Sequence, residues 1–278
     1  MGKNIVIYKA SDFTYPTKEE LKFASQLIPN LHTFEYEYIS DMEALTCPGS
    51  ELKFINKKNH LFWWNFCLQN KIGKLLSAYT NSITSYKRGI PSEDDNQNSK
   101  LYINLIQFDF YSETFYYFLF SVRDIILQII NVYFDLCIKE DKVIQRKVKD
   151  EIKKKLGDHP VTKLLTYFSE KFKDFENIRN SLTHRFPVNE PDYRSSYREV
   201  MYEPSRDILV KIKHCLPDKS QVNNPNNGTS HTVQELGFSA GFPSSKGMEP
   251  KKIYDHMIEA CNTMSNFIQE LKAIMTPI

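Results

Sequence analysis

The stretch FYYFLFSVRDIILQIINVYFDLCI, from Phe115 to Ile138, leaves this chain few ways to fold. It is almost wholly apolar, yet Arg123 and Asp124 stand side by side in its middle. Each such charge costs about 2.5–3.5 kcal/mol at the centre of a bilayer, and the uncharged runs on either side fall well short of the roughly 20 residues a spanning helix needs. The stretch therefore reads as a helix buried by other helices, with no membrane partner.

Its periodicity agrees. Leu105, Phe108, Phe115, Leu119, Val122, Ile126, Ile129, Ile130 and Tyr133 recur at helical spacing, and Phe110, Tyr117 and Phe120 broaden the stripe. The same count predicts long helices at about 53–87, 100–140, 161–185 and 250–275, with shorter ones near 17–28 and 142–156. The fold class expected is all-α: an up-and-down helical bundle with long central helices. KRGIPSEDDNQNSK, from Lys87 to Lys100, has the composition of an exposed link between antiparallel neighbours.

One helical domain is expected across residues 1–278, with an N-terminal extension over 1–50 and an irregular insertion over 187–249. The insertion holds four of the nine glycines and the run NNPNNGTSH, and its stretches REVMYE and DILVKIKH suit a small β-hairpin before the last helix returns. LHTFEYEYI, near the N-terminus, alternates like a strand but has no obvious sheet partner, and stays unassigned. No repeat of solenoid length is visible.

With 278 residues, 41% apolar and 25% charged, the chain can bury a substantial core, and a net charge of +2 gives it no global basic field. The five cysteines are scattered without a CxxC pair, which disfavours a disulfide framework or a metal knuckle. MGKNIVIYKASDF carries no long apolar leader, and Val6 stands where a myristoylation pattern needs Ser or Thr, so a cytoplasmic location is expected. No phosphate-binding glycine loop, HExxH, paired Glu-x-x-His or GxSxG elbow occurs. Neither a metal nor a dinucleotide cofactor is expected.

On the helix from about Val161, the residues Leu165, Phe168, Phe172, Phe175, Ile178 and Leu182 form one apolar stripe, and Arg179 falls inside it. A buried guanidinium without a partner is costly, so Arg179 needs a carboxylate, a carbonyl or an anionic ligand. His184 lies about 140° around the helix from it. Pro187 biases the preceding residue away from helical geometry, which loosens the helix just beyond the histidine. Asn180, four residues before His184, shares its face and is placed to orient it. A two-fold symmetric second copy offers another way to complete such a site.

The pattern Arg179-Asn180-Ser181-Leu182-Thr183-His184 resembles the R-x(4-6)-H motif of the HEPN superfamily, in which a polar residue directly follows the arginine. The resemblance implies a metal-independent endoribonuclease, a toxin or defence component whose cleft forms between two subunits, with RNA as substrate and a cognate antitoxin as partner in the toxin case. Arg179 and His184 would be catalytic and Asn180 would support them. A histidine suits proton transfer at a ribose hydroxyl, and a guanidinium suits a phosphate. The alternative is a non-catalytic bundle that binds a nucleotide or a protein partner.

Other stretches carry weaker signals. RFPVNEPDYRSSYREVMYE sets Arg185, Arg194 and Arg198 among Tyr193, Tyr197 and Tyr202, a mixture suited to single-stranded RNA. Its acidic residues equally suit a loop docked on the bundle. KEDKVIQRKVKDEIKKK reads as a solvated helix face laced with opposite charges. Arg123 and Asp124 either support the Arg179 cleft from a neighbouring helix or fix the bundle's register, and as adjacent residues they are expected to point to different places. Trp63 and Trp64 read as core and interface aromatics.

Overall fold

The fold is a computed structural model that describes residues 10–46, 48–91, 99–184 and 250–275. Among the described residues there is no strand. The α-helices, numbered here in chain order, are α1 (Lys18–Gln26), α2 (Asp41–Thr46), α3 (Leu52–Lys87), α4 (Ser99–Tyr133), α5 (Gln145–Leu156), α6 (Pro160–His184) and α7 (Pro250–Ile274). The four long helices and two shorter ones match the apolar periodicity. The short α2 does not announce itself that way; it begins at Ser40-Asp41-Met42-Glu43, where Ser40 and Glu43 cap each other. The hairpin expected between 187 and 249 lies outside the described residues.

Helices α3, α4, α6 and α7 make an up-and-down bundle. Ring pairs fix the directions: Tyr79 meets Phe115 and Tyr86 meets Phe108 across α3 and α4, while Lys57 reaches Asp135 just past the end of α4. Phe168 meets Phe267 at 4.7 Å and Phe175 meets His256 at 6.0 Å, so α6 and α7 are antiparallel. Tyr86 stacks on Tyr254 at 4.5 Å and closes the ring of helices. The apolar stripe of α4 is the centre: Phe108, Phe115, Leu119, Val122, Ile126, Ile129 and Ile130 are all buried. By length and composition α4 could cross a membrane, but more than half of its most apolar window is buried inside the bundle. The stripe is narrower than its sequence suggests, because Phe110 and Tyr117 face outward.

The end of α4 comes earlier than the apolar run. Asp135 adopts a left-handed φ of 49°, the Leu136 N–H donates to the Asn131 carbonyl, and the Asp135 N–H donates to the Val132 carbonyl. This is the Schellman pattern, with an aspartate where glycine is usual. Lys155 donates to the carbonyls of Phe134 and Asp135, which compensates the open end of the helix.

The alternating stretch near the N-terminus forms no strand, and its hydrogen-bond partners are side chains of α3 and α7. Asn65 of α3 grips residue 34 with both ends of its amide: Phe34 N–H donates to Oδ1 at 3.1 Å and Nδ2 donates to the Phe34 carbonyl at 2.6 Å. Asn59 does the same for Ile39, both bonds being 2.9 Å. On the other side Ser265 and Lys272 of α7 donate to the carbonyls of Asn30 and Thr33. Side-chain amides thus satisfy backbone groups that a sheet would otherwise satisfy. Of the two tryptophans, Trp64 is half-buried; Trp63 is exposed and joins Tyr38, Phe62 and Phe66 in a surface aromatic group.

Two measurements test this fold. Asn65→Ala should destabilise the protein strongly, since it orphans a buried N–H and carbonyl at about 1–3 kcal/mol each; a urea midpoint equal to that of Gln69→Ala, an exposed neighbour, would contradict the clamp. Glu20, in the capping box of α1, also receives Arg88, and that guanidinium holds its carboxyl well below the usual value of 4.5, at about 2. Its stabilisation is therefore complete above the unfolded pKa and fades as pH falls through the folded one. Glu20→Gln should lower the melting temperature at pH 7, and the gap to wild type should close between about pH 4.5 and pH 2.

Candidate functional site

Helices α4 and α6 cross antiparallel, which brings Arg123 opposite the turn that carries Arg179. Arg123 belongs to the apolar helix, and its stem lines a small gap with Leu127, Leu165 and Phe172. Only its guanidinium end emerges, so the side chain is 18% exposed. Arg179 is 30% exposed. Its place in the apolar stripe is explained by what it covers: both guanidinium carbons lie 4.7 Å from the centre of the Phe120 ring. Each contact of this kind stabilises by about 0.5–2 kcal/mol.

Two like charges on one ring require a counter-ion, and Glu176 supplies it. The same Oε1 of Glu176 lies 3.6 Å from Arg123 and 3.8 Å from Arg179. Both separations exceed hydrogen-bond length, so the carboxylate balances charge without a tight directional bond. The Glu176 side chain is 42% exposed. Exposed pairs of this kind contribute about 0–1 kcal/mol to stability.

Each arginine also turns back on its own neighbour. Arg123 donates through Nε and Nη2 to one oxygen of Asp124, at 3.1 and 3.0 Å. Arg179 donates in the same way to Asn180 Oδ1, at 3.2 and 2.8 Å. The expectation that Arg123 and Asp124 point apart is overturned here: adjacent residues diverge at Cβ, but an arginine is long enough to curl back across that angle. Asn180 consequently spends its carbonyl oxygen on Arg179, and its Nδ2 is the end left for orienting a histidine.

His184 is the last residue of α6, and its side chain lies outside what is described. Arg185, Tyr193, Arg194 and Arg198 lie outside the described residues. Two members of the cluster, Glu176 and Phe120, were not foreseen from sequence. Each stands three residues before an arginine, the spacing that puts side chains side by side on a helix. No group of three or more His, Cys, Asp or Glu suited to hold a metal occurs among the described residues.

Against known families, a model described as Cthe2314-like HEPN matches residues 64–236, more than half of the chain. The chain belongs to the HEPN family. The match runs from the middle of α3 through α4, α5 and α6, and so includes the arginine cluster, the R-x4-H spacing and part of the stretch read as an insertion. Helix α7 follows the matched span, although in this HEPN protein it supplies the fourth wall of the bundle. No curated protein and no solved structure matches the chain.

Two guanidinium groups from different helices, sharing one loosely held carboxylate, form an arrangement that an anion of phosphate size can take over. Removing that carboxylate should favour the exchange. Glu176→Gln is expected to change stability by no more than about 1 kcal/mol, while inorganic phosphate raises the variant's melting temperature more than the wild type's. Equal phosphate responses in the two proteins would mean that Glu176 does not occupy the anion position.

Proposed function

We propose that this HEPN protein is a metal-independent endoribonuclease, with Arg179 and His184 as its catalytic pair. The observation that carries the reading is the convergence of Arg179, at the head of the R-x4-H spacing, with Arg123 of α4 on one ring and one carboxylate. Family membership supports an RNA- or nucleotide-directed role at the coarser level.

The chemistry follows from the residue types. A base removes the proton of a ribose 2′-OH, the 2′-oxygen attacks the adjacent phosphorus, and the bond to the 5′-oxygen breaks with a proton delivered to that oxygen. The products are a 2′,3′-cyclic phosphate and a 5′-hydroxyl. Imidazole is a side chain suited to either proton transfer, and His184 is assigned that role. Arg179 stabilises charge on the phosphoryl oxygens, where donors aimed at the transition state act most strongly. Arg123 acts as a positioning residue: it shares Phe120 and Glu176 with Arg179 and fixes where that guanidinium lies. Asn180 holds Arg179 by its carbonyl oxygen, which leaves its Nδ2 to support the histidine.

One histidine can perform one proton transfer at a time, so two copies related by a two-fold axis would supply both groups. A homodimer is accordingly part of the proposal. Arg185, Tyr193, Arg194 and Arg198 provide phosphate and base-stacking contacts for a single strand. A cytoplasmic toxin or defence role, with a cognate antitoxin in the toxin case, fits an enzyme of this kind.

The deciding experiment uses labelled single-stranded RNA and tRNA in EDTA. Wild type should cleave and leave cyclic phosphate ends, while His184→Ala and Arg179→Ala lose at least about 100-fold in rate, the scale of a proton-transfer group or a transition-state donor. Absence of cleavage by folded wild-type dimer would overturn the nuclease and leave a bundle that binds anions. A partial loss in Arg123→Ala with an unchanged pH profile would mark positioning rather than proton transfer.

A further inference from the structure

A groove of 590 Å³ opens between α3 and the N-terminal residues that the two asparagines clamp. Lys58, Phe62 and Phe66 of α3 line one side of it, and Glu35, Tyr36 and Glu37 line the other. Both walls are held in place. Asn65 and Asn59 grip the backbone on either side of the glutamates, and Gln69 Nε2 donates to the Thr33 hydroxyl at 3.2 Å.

The rim of the groove is aromatic and open to solvent. Phe66 is 48% exposed, Trp63 52% and Tyr38 44%. Phe62 lies 5.4 Å from both Tyr38 and Trp63, and Trp63 lies 6.0 Å from Phe66, so the four rings form one continuous patch. A single exposed ring needs no explanation, but a contiguous group beside a groove marks a contact surface.

Charge decides what that surface attracts. Glu35 and Glu37 are exposed, and among the described residues neither carboxylate has an ion pair. Lys58 does not neutralise them, because its ammonium lies over the Phe54 ring, 5.0 Å from the centre. The backbone adds a second unmet demand. Phe34 and Ile39 each make two hydrogen bonds to an asparagine, whereas the N–H and C=O groups of residues 35–38 make none to a described residue.

Carboxylates and ring faces share one preference, since both attract cations. A guanidinium satisfies them together: it pairs with a carboxylate through its N–H fork and lies flat on a ring. Unpaired backbone donors and acceptors call in addition for a ligand with a backbone of its own.

We propose that this groove docks an arginine-bearing peptide segment of a partner protein. Its guanidinium groups pair with Glu35 and Glu37 and lie against Phe62 and Phe66, and its backbone bonds to residues 35–38. The site is separate from the arginine cluster and does not rest on the ribonuclease reading.

The test titrates full-length protein, by fluorescence anisotropy, with a labelled and blocked peptide of sequence Gly-Arg-Val-Arg-Val-Arg-Gly and with the same peptide carrying citrulline for arginine, which keeps the shape and removes the charge. The arginine peptide should bind at least about tenfold more tightly, the scale of one charge-assisted hydrogen bond. Glu35→Gln with Glu37→Gln should remove that preference, and Phe66→Ala, at a half-exposed ring, should weaken binding of the arginine peptide. Glu140→Gln with Asp141→Asn removes the same two charges from an exposed turn elsewhere and should leave binding unchanged. Thermal melts of each variant separate loss of the site from loss of the fold. The proposal is overturned if folded wild type binds the two peptides equally or binds neither at millimolar concentration. Equal losses in the two double variants would reduce the effect to net charge and overturn it too. So would displacement of the peptide by an equal concentration of spermidine, which would make the groove a site for small cations.

Discussion

The burial of α4 is the constraint on which the other elements depend. A helix with so much apolar girth needs neighbours on most sides: α3 and α6 supply ring contacts at Tyr79 and Phe172, and Phe267 of α7 lines a small gap with Leu127 of α4. Burial at about 25 cal/mol per Å² of apolar surface makes this the largest favourable contribution available to the fold. The polar features then fall where the burial ends. Arg123 emerges at the edge of the contact between α4 and α6, and Gln107 and Phe110 lie where the N-terminal segment crosses α4.

The arginine cluster shows how a charged group can occupy an apolar stripe without full desolvation. Phe120 gives each guanidinium an apolar face to lie on, and the charged edges remain partly in water. Glu176 and Asp124 set two carboxylates beside the two guanidinium groups. The shared carboxylate sits at 3.6 and 3.8 Å, longer than charge-assisted hydrogen bonds run.

Much of this was legible in the sequence. Six helices followed from apolar spacing, and Arg179 stood out because a charge at a stripe position demands a partner. The spacing could not reveal which partner, because contact between α4 and α6 depends on the crossing of two helices and not on either alone. Phe120 and Glu176 look ordinary in one dimension. The stretch at 31–39 stays unassigned in the sequence for a subtler reason: its alternation is real, since Phe34 is buried beside exposed Glu35 and Glu37. An amide side chain can take the place of a neighbouring strand, and no period in the sequence marks that.

The asparagine-clamped segment has a consequence for how the chain is made. It is fastened to α3 by Asn59 and Asn65 and to α7 by Ser265 and Lys272, bonds that join residues up to 239 positions apart. Loops of that span form late, after local helices and hairpins of helices. During synthesis from the N-terminus, α3, α4 and α6 emerge while Tyr86, Met257's partner Ser82 and the segment's carbonyls still lack the helix that completes them. The nascent chain therefore carries its arginine cluster before it can close its bundle, and the last turns of α7 act as the clasp that fastens the N-terminal segment.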